Sequence, residues 1–395
     1  MKRILAAVLA LLLLFAALSG CRPSPGSPSD CPPPSELLSA GAVSERGQSV
    51  FPPVEEAGES APSAGAVSER GQSVFPPVEE AEESVPPAGE EKEPLFRYDP
   101  HRISADAREA LTDREYGLYC RMVDSILAHD DAVDGFESAE DYKKVWNTLF
   151  REFVPFLQLC DPVLGWGPEN DTVTLPYKAD RESCDRRYAR FENAINEALS
   201  TIKKGDGERE RIAKLYLYVA DRMTYGNDLP EAYWNDFPER NAKNGAELYD
   251  HIVCLRGVCE DYARFLNLLA VQIGLEAKFA ESSGSITYEH AWSLIRMEGE
   301  WYHFDPCWQQ TSPPFKMEYF AIGTAARFST LKDALGDKVE IFARNNWSRA
   351  AEDIPECGID MDQWERKNLY RQVIDDCRKT MEKAGASGGR LGTEE

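Results

Sequence analysis

Arg256-Gly257-Val258-Cys259-Glu260-Asp261-Tyr262-Ala263, then Glu289-His290-Ala291-Trp292, then Trp301-Tyr302-His303-Phe304-Asp305-Pro306-Cys307-Trp308 follow one another within the stretch 249–308. A cysteine followed within about fifty residues by a histidine and then an aspartate, each in its own element, supplies the residue types of thiol-based acyl transfer. Taken singly, each of the three would be read as packing. The case for chemistry rests on their joint placement.

From residue 258 to 273, Tyr262, Leu266, Leu269, Ala270 and Ile273 recur at spacings of three and four, which predicts a buried amphipathic helix entered through Gly257-Val258 and stopped at Gly274. Cys259 then lies in the first turn. Unpaired amides and the helix dipole favour negative charge there, so the thiol pKa is expected in the range of roughly 3.5–7.5 found for reactive cysteines. Downstream, 288–297 and 301–305 are β-rich runs around Glu298-Gly299, which reads as a two-residue hairpin turn. That turn pairs Met297 with Glu300, hence Trp292 with Asp305 and His290 with Cys307. Alternation places His290, Trp292 and Asp305 on one face, with His290 and Asp305 as diagonal neighbours roughly 7–8 Å apart. Two readings stay open for Cys307: simple packing, or a reversible disulfide with Cys259.

Gly-Val-Cys-x-x-Tyr-Ala, His-Ala-Trp and Trp-Tyr-x-x-Asp-x-x-Trp resemble the core of the transglutaminase-like superfamily, whose fold is similar to that of papain-type cysteine proteases. With Tyr225, Tyr249 and Glu318-Tyr319-Phe320 the resemblance covers about 205–330. It implies an α+β fold, a papain-like or transglutaminase-like core in which a nucleophile helix packs on an antiparallel sheet. It also implies Cys259, His290 and Asp305 as a catalytic triad, Tyr249 and Trp292 as oxyanion or substrate residues, a peptide or protein substrate, and no cofactor. Asp261, Ser293 and Cys307 depart from the glycine, asparagine and threonine common in relatives. The carboxylates of Glu260 and Asp261, expected near the cleft, bear on substrate preference.

At the other end, Lys2-Arg3, an apolar run over 4–18 and Leu18-Ser19-Gly20-Cys21 resemble a bacterial lipoprotein signal over 1–21, with Cys21 lipidated. The expected location is the cell membrane, lipid-anchored and extracytoplasmic. Residues 22–96 are rich in Pro, Ser, Gly, Ala and Glu and nearly devoid of aromatics, so they read as a disordered tether, with 41–56 repeated as 65–80. Residues 97–204 read as a mainly helical subdomain: a capping box at Thr112-Asp113-Arg114-Glu115, a second helix start at Ser138, and helices over 188–202 and, beyond the subdomain, 212–223. The segment 321–330 reads as a connection, 331–384 as a helical extension and 385–395 as a polar tail.

A formal charge of −24 argues against nucleic acid as a partner, because phosphate binding needs a basic surface. The ten cysteines show no CxxC pattern and no zinc-ligand spacing, so no metal is expected and disulfide pairing is undetermined. Three functional classes remain: a cysteine protease or amidase, a protein-crosslinking transglutaminase, and a non-catalytic binding or assembly lipoprotein of the envelope.

Overall fold

The computed structural model describes residues 94–161, 172–235, 237, 246–283, 289–335, 339–344 and 350–383. The expected lipid-bearing Cys21, nearly all of the tether and the tail lie outside the described residues. Helix α1 (Ala105–Ala110) leads into α2 (Asp113–Ala128). At the start of α2 the expected capping box forms: Thr112 Oγ1 accepts the Glu115 amide at 3.2 Å, and the Glu115 carboxylate accepts the Thr112 amide at 2.7 Å. Ser138 caps α3 (Ala139–Glu152) in the same way. Tyr119, Met122, Val145, Leu149 and Phe156 close a first apolar core.

Helix α4 (Arg181–Leu199) starts earlier than its apolar periodicity suggested, because Asp180 caps it. Its Cys184 packs into the first core, whereas Phe191, Ile195 and Leu199 pack into a second, larger one. That second core is built from α5 (Glu208–Arg222), α6 (Leu248–Cys254), α7 (Cys259–Gln272) and a sheet.

The sheet begins with β1 (Ala277–Ser283), β2 (His290–Met297) and β3 (Glu300–Phe304). After α8 (Pro306–Gln309) and α9 (Thr324–Leu335), it is completed by β4 (Glu340–Arg344) and β5 (Ala351–Glu352). The order is β3-β2-β1-β4-β5, antiparallel throughout. Glu298 and Gly299 both have positive φ, 53° and 89°, as a two-residue hairpin with the twist of its strands requires, and Met297 pairs with Glu300 as expected. Strand β2 is buried at every position except Arg296, because α7 packs against it and β1 and β3 flank it. A strand covered in this way shows no polar alternation.

Two segments differ from expectation. The connection over 321–330 is mostly α9, and the helical extension contributes β4, which pairs with the edge of β1 and buries Ala343. An unpaired β1 edge would leave backbone groups without partners beside the core. The extension does end in a helix, α10 (Gln363–Lys383), whose Val373, Ile374, Cys377 and Met381 enter the second core.

Lys214 of α5, only 1% exposed, ties α10 down: its ammonium lies 2.6 Å from Asp206 and 2.9 Å from Asp376. Lys214→Ala would strand two carboxylates that retain some contact with water, so the expected loss is about 2–3 kcal/mol, below the 3–5 of a fully buried pair. Urea denaturation of the two proteins measures it; a difference below about 0.5 kcal/mol would show that the pair does not anchor the helix.

Candidate active site

The site starts at the mouth of α7. No side chain at Val258 caps the helix; instead the Asp261 carboxylate folds back and accepts the Val258 amide at 2.8 Å. Gly257 is required by that fold-back, since a Cβ on it would lie 2.5 Å from the Cβ of Asp261. Asp261 is therefore a buried cap and not the rim charge expected to influence substrate preference. Glu260 is exposed and pairs with Arg264 at 2.5 Å.

Cys259 is partly buried and packs with Ala263, Phe279 and Ala291. Burial pushes its thiol up to about 12, with Asp305, Asp261 and Glu260 adding to the effect, while the Ala291 amide donates to the sulfur and opposes it. The direction is opposite to the lowering expected of a helix-start cysteine. The helix start is present, but desolvation and three nearby carboxylates outweigh its dipole.

The His290 ring is buried, and its Nε2 lies 2.6 Å from Asp305 Oδ2. With Asp305 ionised, Nε2 must carry the proton and Nδ1 its lone pair. Nδ1 is buried and has no hydrogen-bond partner among the described residues. Burial lowers the His290 pKa even though Asp305 pulls it upward. Ala291, next in sequence, is the residue whose amide reaches the Cys259 sulfur.

Asp305 holds its place through several contacts. Its Oδ1 accepts the Trp308 amide at 3.0 Å, capping α8, and its own amide donates to the Tyr319 carbonyl at 2.9 Å. Burial alone would raise its carboxyl, but His290, Arg327 and the Trp308 amide outweigh burial and hold it near 2. Arg327 of α9, fully buried, donates to Oδ2 at 2.6 Å. Its guanidinium lies 4.3 Å from the Trp292 ring and 4.6 Å from the Trp308 ring. Trp308 in turn stacks on the His290 imidazole at 4.4 Å and 17°. Sequence reading missed Arg327 because it fell in a segment taken as a connection; the one available signal was an arginine beside Phe328 and Leu331 at helical spacing.

The remaining expected residues divide. Trp292 is brought to the site, buried beneath Arg327, with its indole N–H donating to His303 Nδ1 at 2.7 Å. His303 then donates from Nε2 to Thr324 Oγ1 at 3.0 Å, a structural tie between β3 and α9. Tyr249 is not at the site: its hydroxyl donates to the Arg187 carbonyl at 2.8 Å and its ring stacks on Phe191. The register that set Cys307 opposite His290 fails, since the ladder ends at Ser293 and Phe304 and Pro306 turns the chain into α8. Cys307 is buried there with its thiol free, as are the other seven cysteines among the described residues.

A cysteine at the head of a helix, packed on an antiparallel sheet that delivers a buried histidine paired with an aspartate, defines the papain-like class of architecture. Residues 195–306 match the sequence model described as the transglutaminase-like superfamily. The superfamily generally comprises cysteine peptidases and acyltransferases, which act on protein or peptide substrates. Similar solved structures include a crystal structure of a TGase, at 17% identity and a TM-score of 0.24, covering 33% of this chain and 33% of that one. Another is a candidate cysteine protease from Cytophaga hutchinsonii, at 13% identity and a TM-score of 0.23, covering 45% of this chain and 54% of that one. The chain thus spans about a third of the first and about half of the second. No curated protein matches it.

Two buried neutral histidines give the fold a pH dependence. Burial, with Arg327 adding, lowers His303 to about 3, so in acid the unfolded chain takes up a proton that the native state refuses. The stability held by a neutral His303 is complete above the ordinary histidine pKa of about 6.5 and is lost as pH falls from there towards about 3. His303→Gln can keep both hydrogen bonds without titrating. Urea midpoints should show the native chain losing about 1.4 kcal/mol per pH unit relative to the variant between about pH 6 and 4. Parallel profiles would refute the assignment.

Proposed function

We propose that the chain is an extracytoplasmic, membrane-anchored thiol enzyme that transfers acyl groups from peptide or amide bonds, with hydrolysis as its main outcome. The observation that carries this reading is the buried His290–Asp305 pair at 2.6 Å, with Nδ1 unpartnered among the described residues, on the strand whose next residue, Ala291, hydrogen-bonds the Cys259 sulfur through its amide. As the Cys259 sulfur attacks the carbonyl carbon, its proton passes to His290 Nδ1 and the carbonyl π electrons move to oxygen. In this reading the Cys259 amide, the first of α7 and so without an intrahelical acceptor, donates to that oxyanion. Collapse breaks the C–N bond, and His290 returns the proton to the departing amine. Water then attacks the thioester while His290 takes its proton, releasing the acid and restoring the thiol. An amine attacking instead would give crosslinking, the alternative activity.

Membrane attachment through Cys21 rests on the leader sequence alone, and among the described residues no helix is long and apolar enough to cross a membrane. Cys21→Ala expressed with its leader should move the protein from the membrane to the soluble extracytoplasmic fraction; a variant that stays membrane-bound would remove the lipid anchor from the reading.

Fluorescent casein hydrolysis and dansyl-amine incorporation, run side by side on the purified protein, separate hydrolysis from crosslinking. Cys259→Ala should abolish whichever is present, and Asp305→Asn should reduce the rate by about 10²–10⁴-fold, because the amide cannot stabilise the imidazolium and favours the wrong tautomer. Activity unchanged in a folded Cys259→Ala would leave the non-catalytic envelope role standing in place of the enzyme.

A further inference from the structure

Trp364, at the start of α10, is 74% exposed, the barest large apolar side chain among the described residues. A single exposed indole is ordinary, but this one stands in a groove. The groove, about 670 Å³, runs between the start of α5, the tip of the β2–β3 hairpin and the first turns of α10. Met361 and Leu369, themselves nearly buried, give it an apolar lining. Along α10, Trp364, Asn368 and Gln372 border it at four-residue spacing, and none of the three makes a hydrogen bond among the described residues. Side-chain N–H donors therefore recur about every 6 Å along the helix without acceptors.

A proline-bearing extended strand supplies acceptors at that interval. Polyproline II advances about 3.1 Å per residue, so alternate carbonyls recur at about 6.2 Å, and none is used internally. Residues 22–93 contain two phenylalanines and no other aromatic residue, and both occupy the same run: Val50-Phe51-Pro52-Pro53-Val54 and Val74-Phe75-Pro76-Pro77-Val78. Pro-Pro favours that conformation and biases the preceding phenylalanine towards it.

We propose that the groove beside Trp364 is the docking site of this repeated run, with the copy at 74–78 as its occupant. Phe75 and the two prolines pack on the indole and on Met361 and Leu369, while backbone carbonyls of the run accept from the donors of α10. Glu79 and Glu80 follow the apolar run and stay in water.

The path of the chain supports this occupant. Its first described residues lead to Phe96, whose ring lies 5.4 Å from the Arg211 guanidinium, and Arg211 follows closely on Arg209 and Glu210 of the groove wall. Residues 81–93 separate the run from that point and can span up to roughly 45 Å when extended. The run thus reaches the groove from its own chain. So short a connection gives an effective concentration on the order of millimolar, enough to hold a contact too weak to form between separate molecules. Lipid is a poorer occupant, because Arg209 and Arg371 are outnumbered by Glu210, Glu298 and Glu365 and the groove offers anionic headgroups no net positive charge.

The indole N–H resonance of Trp364 in the full chain, assigned by its loss in Trp364→Phe, reads the occupancy. Phe51→Ser combined with Phe75→Ser changes no residue of the described cores, so the fold is not at stake. The double change should shift the Trp364 resonance and leave those of Trp292 and Trp308 in place. A synthetic peptide of residues 73–80 added to that variant should return the resonance towards its native position with a midpoint of about 1 mM or lower, and the same peptide carrying Phe75→Ser should not. A Trp364 resonance indifferent to the double change overturns the proposal. So does one that shifts when the native chain is diluted, which would assign the groove to a second copy. Movement only on adding phosphatidylcholine–phosphatidylglycerol vesicles overturns it in favour of a membrane surface. Cys259 takes no part in any of these readouts, so they stand or fall apart from the enzyme reading.

Discussion

A carboxylate taken fully out of water is tolerated only where donors replace its hydration, and the core around Asp305 is arranged to do so. Three donors converge on it: the imidazole of β2, the guanidinium of α9 and the Trp308 amide in α8. Each comes from a different element, so the helix α8, the end of the β2–β3 hairpin and the docking of α9 are all tied to one charge. Trp292 and Trp308 line the two aromatic sides of this cluster and keep water away from it.

The same burial sets the chemistry. At a solvent-exposed helix start, the dipole would draw a cysteine toward its thiolate. Here the sulfur is partly covered by Phe279 and Ala291, and it shares its surroundings with Asp305, Asp261 and Glu260. Asp261, although acidic and next but one to the nucleophile, is occupied with the Val258 amide and serves the helix start.

Family resemblance and geometry contribute separately. The match over 195–306 covers the end of α4, α5, α6, the nucleophile helix and the β1–β3 segment, and it stops at Pro306. Arg327, β4 and α10 lie beyond it. Of these, Arg327 is the one that reaches the site, through its bond to Asp305.

Local sequence determined the pieces that depend on near neighbours. Three-and-four spacing after Val258 made α7 readable, Thr112 and Ser138 announced two helix starts, and Glu298-Gly299 fixed the hairpin and so the facing of His290 towards Asp305. Tertiary structure decided what depends on distant partners. Tyr249 pointed to Arg187, not to the cysteine, because core packing claimed its hydroxyl. Cys307 left the strand register once Asp305 became a helix cap. The thiol pKa rose and Arg327 entered the site because burial and charge proximity sum over residues far apart in the chain, and no local pattern records that sum.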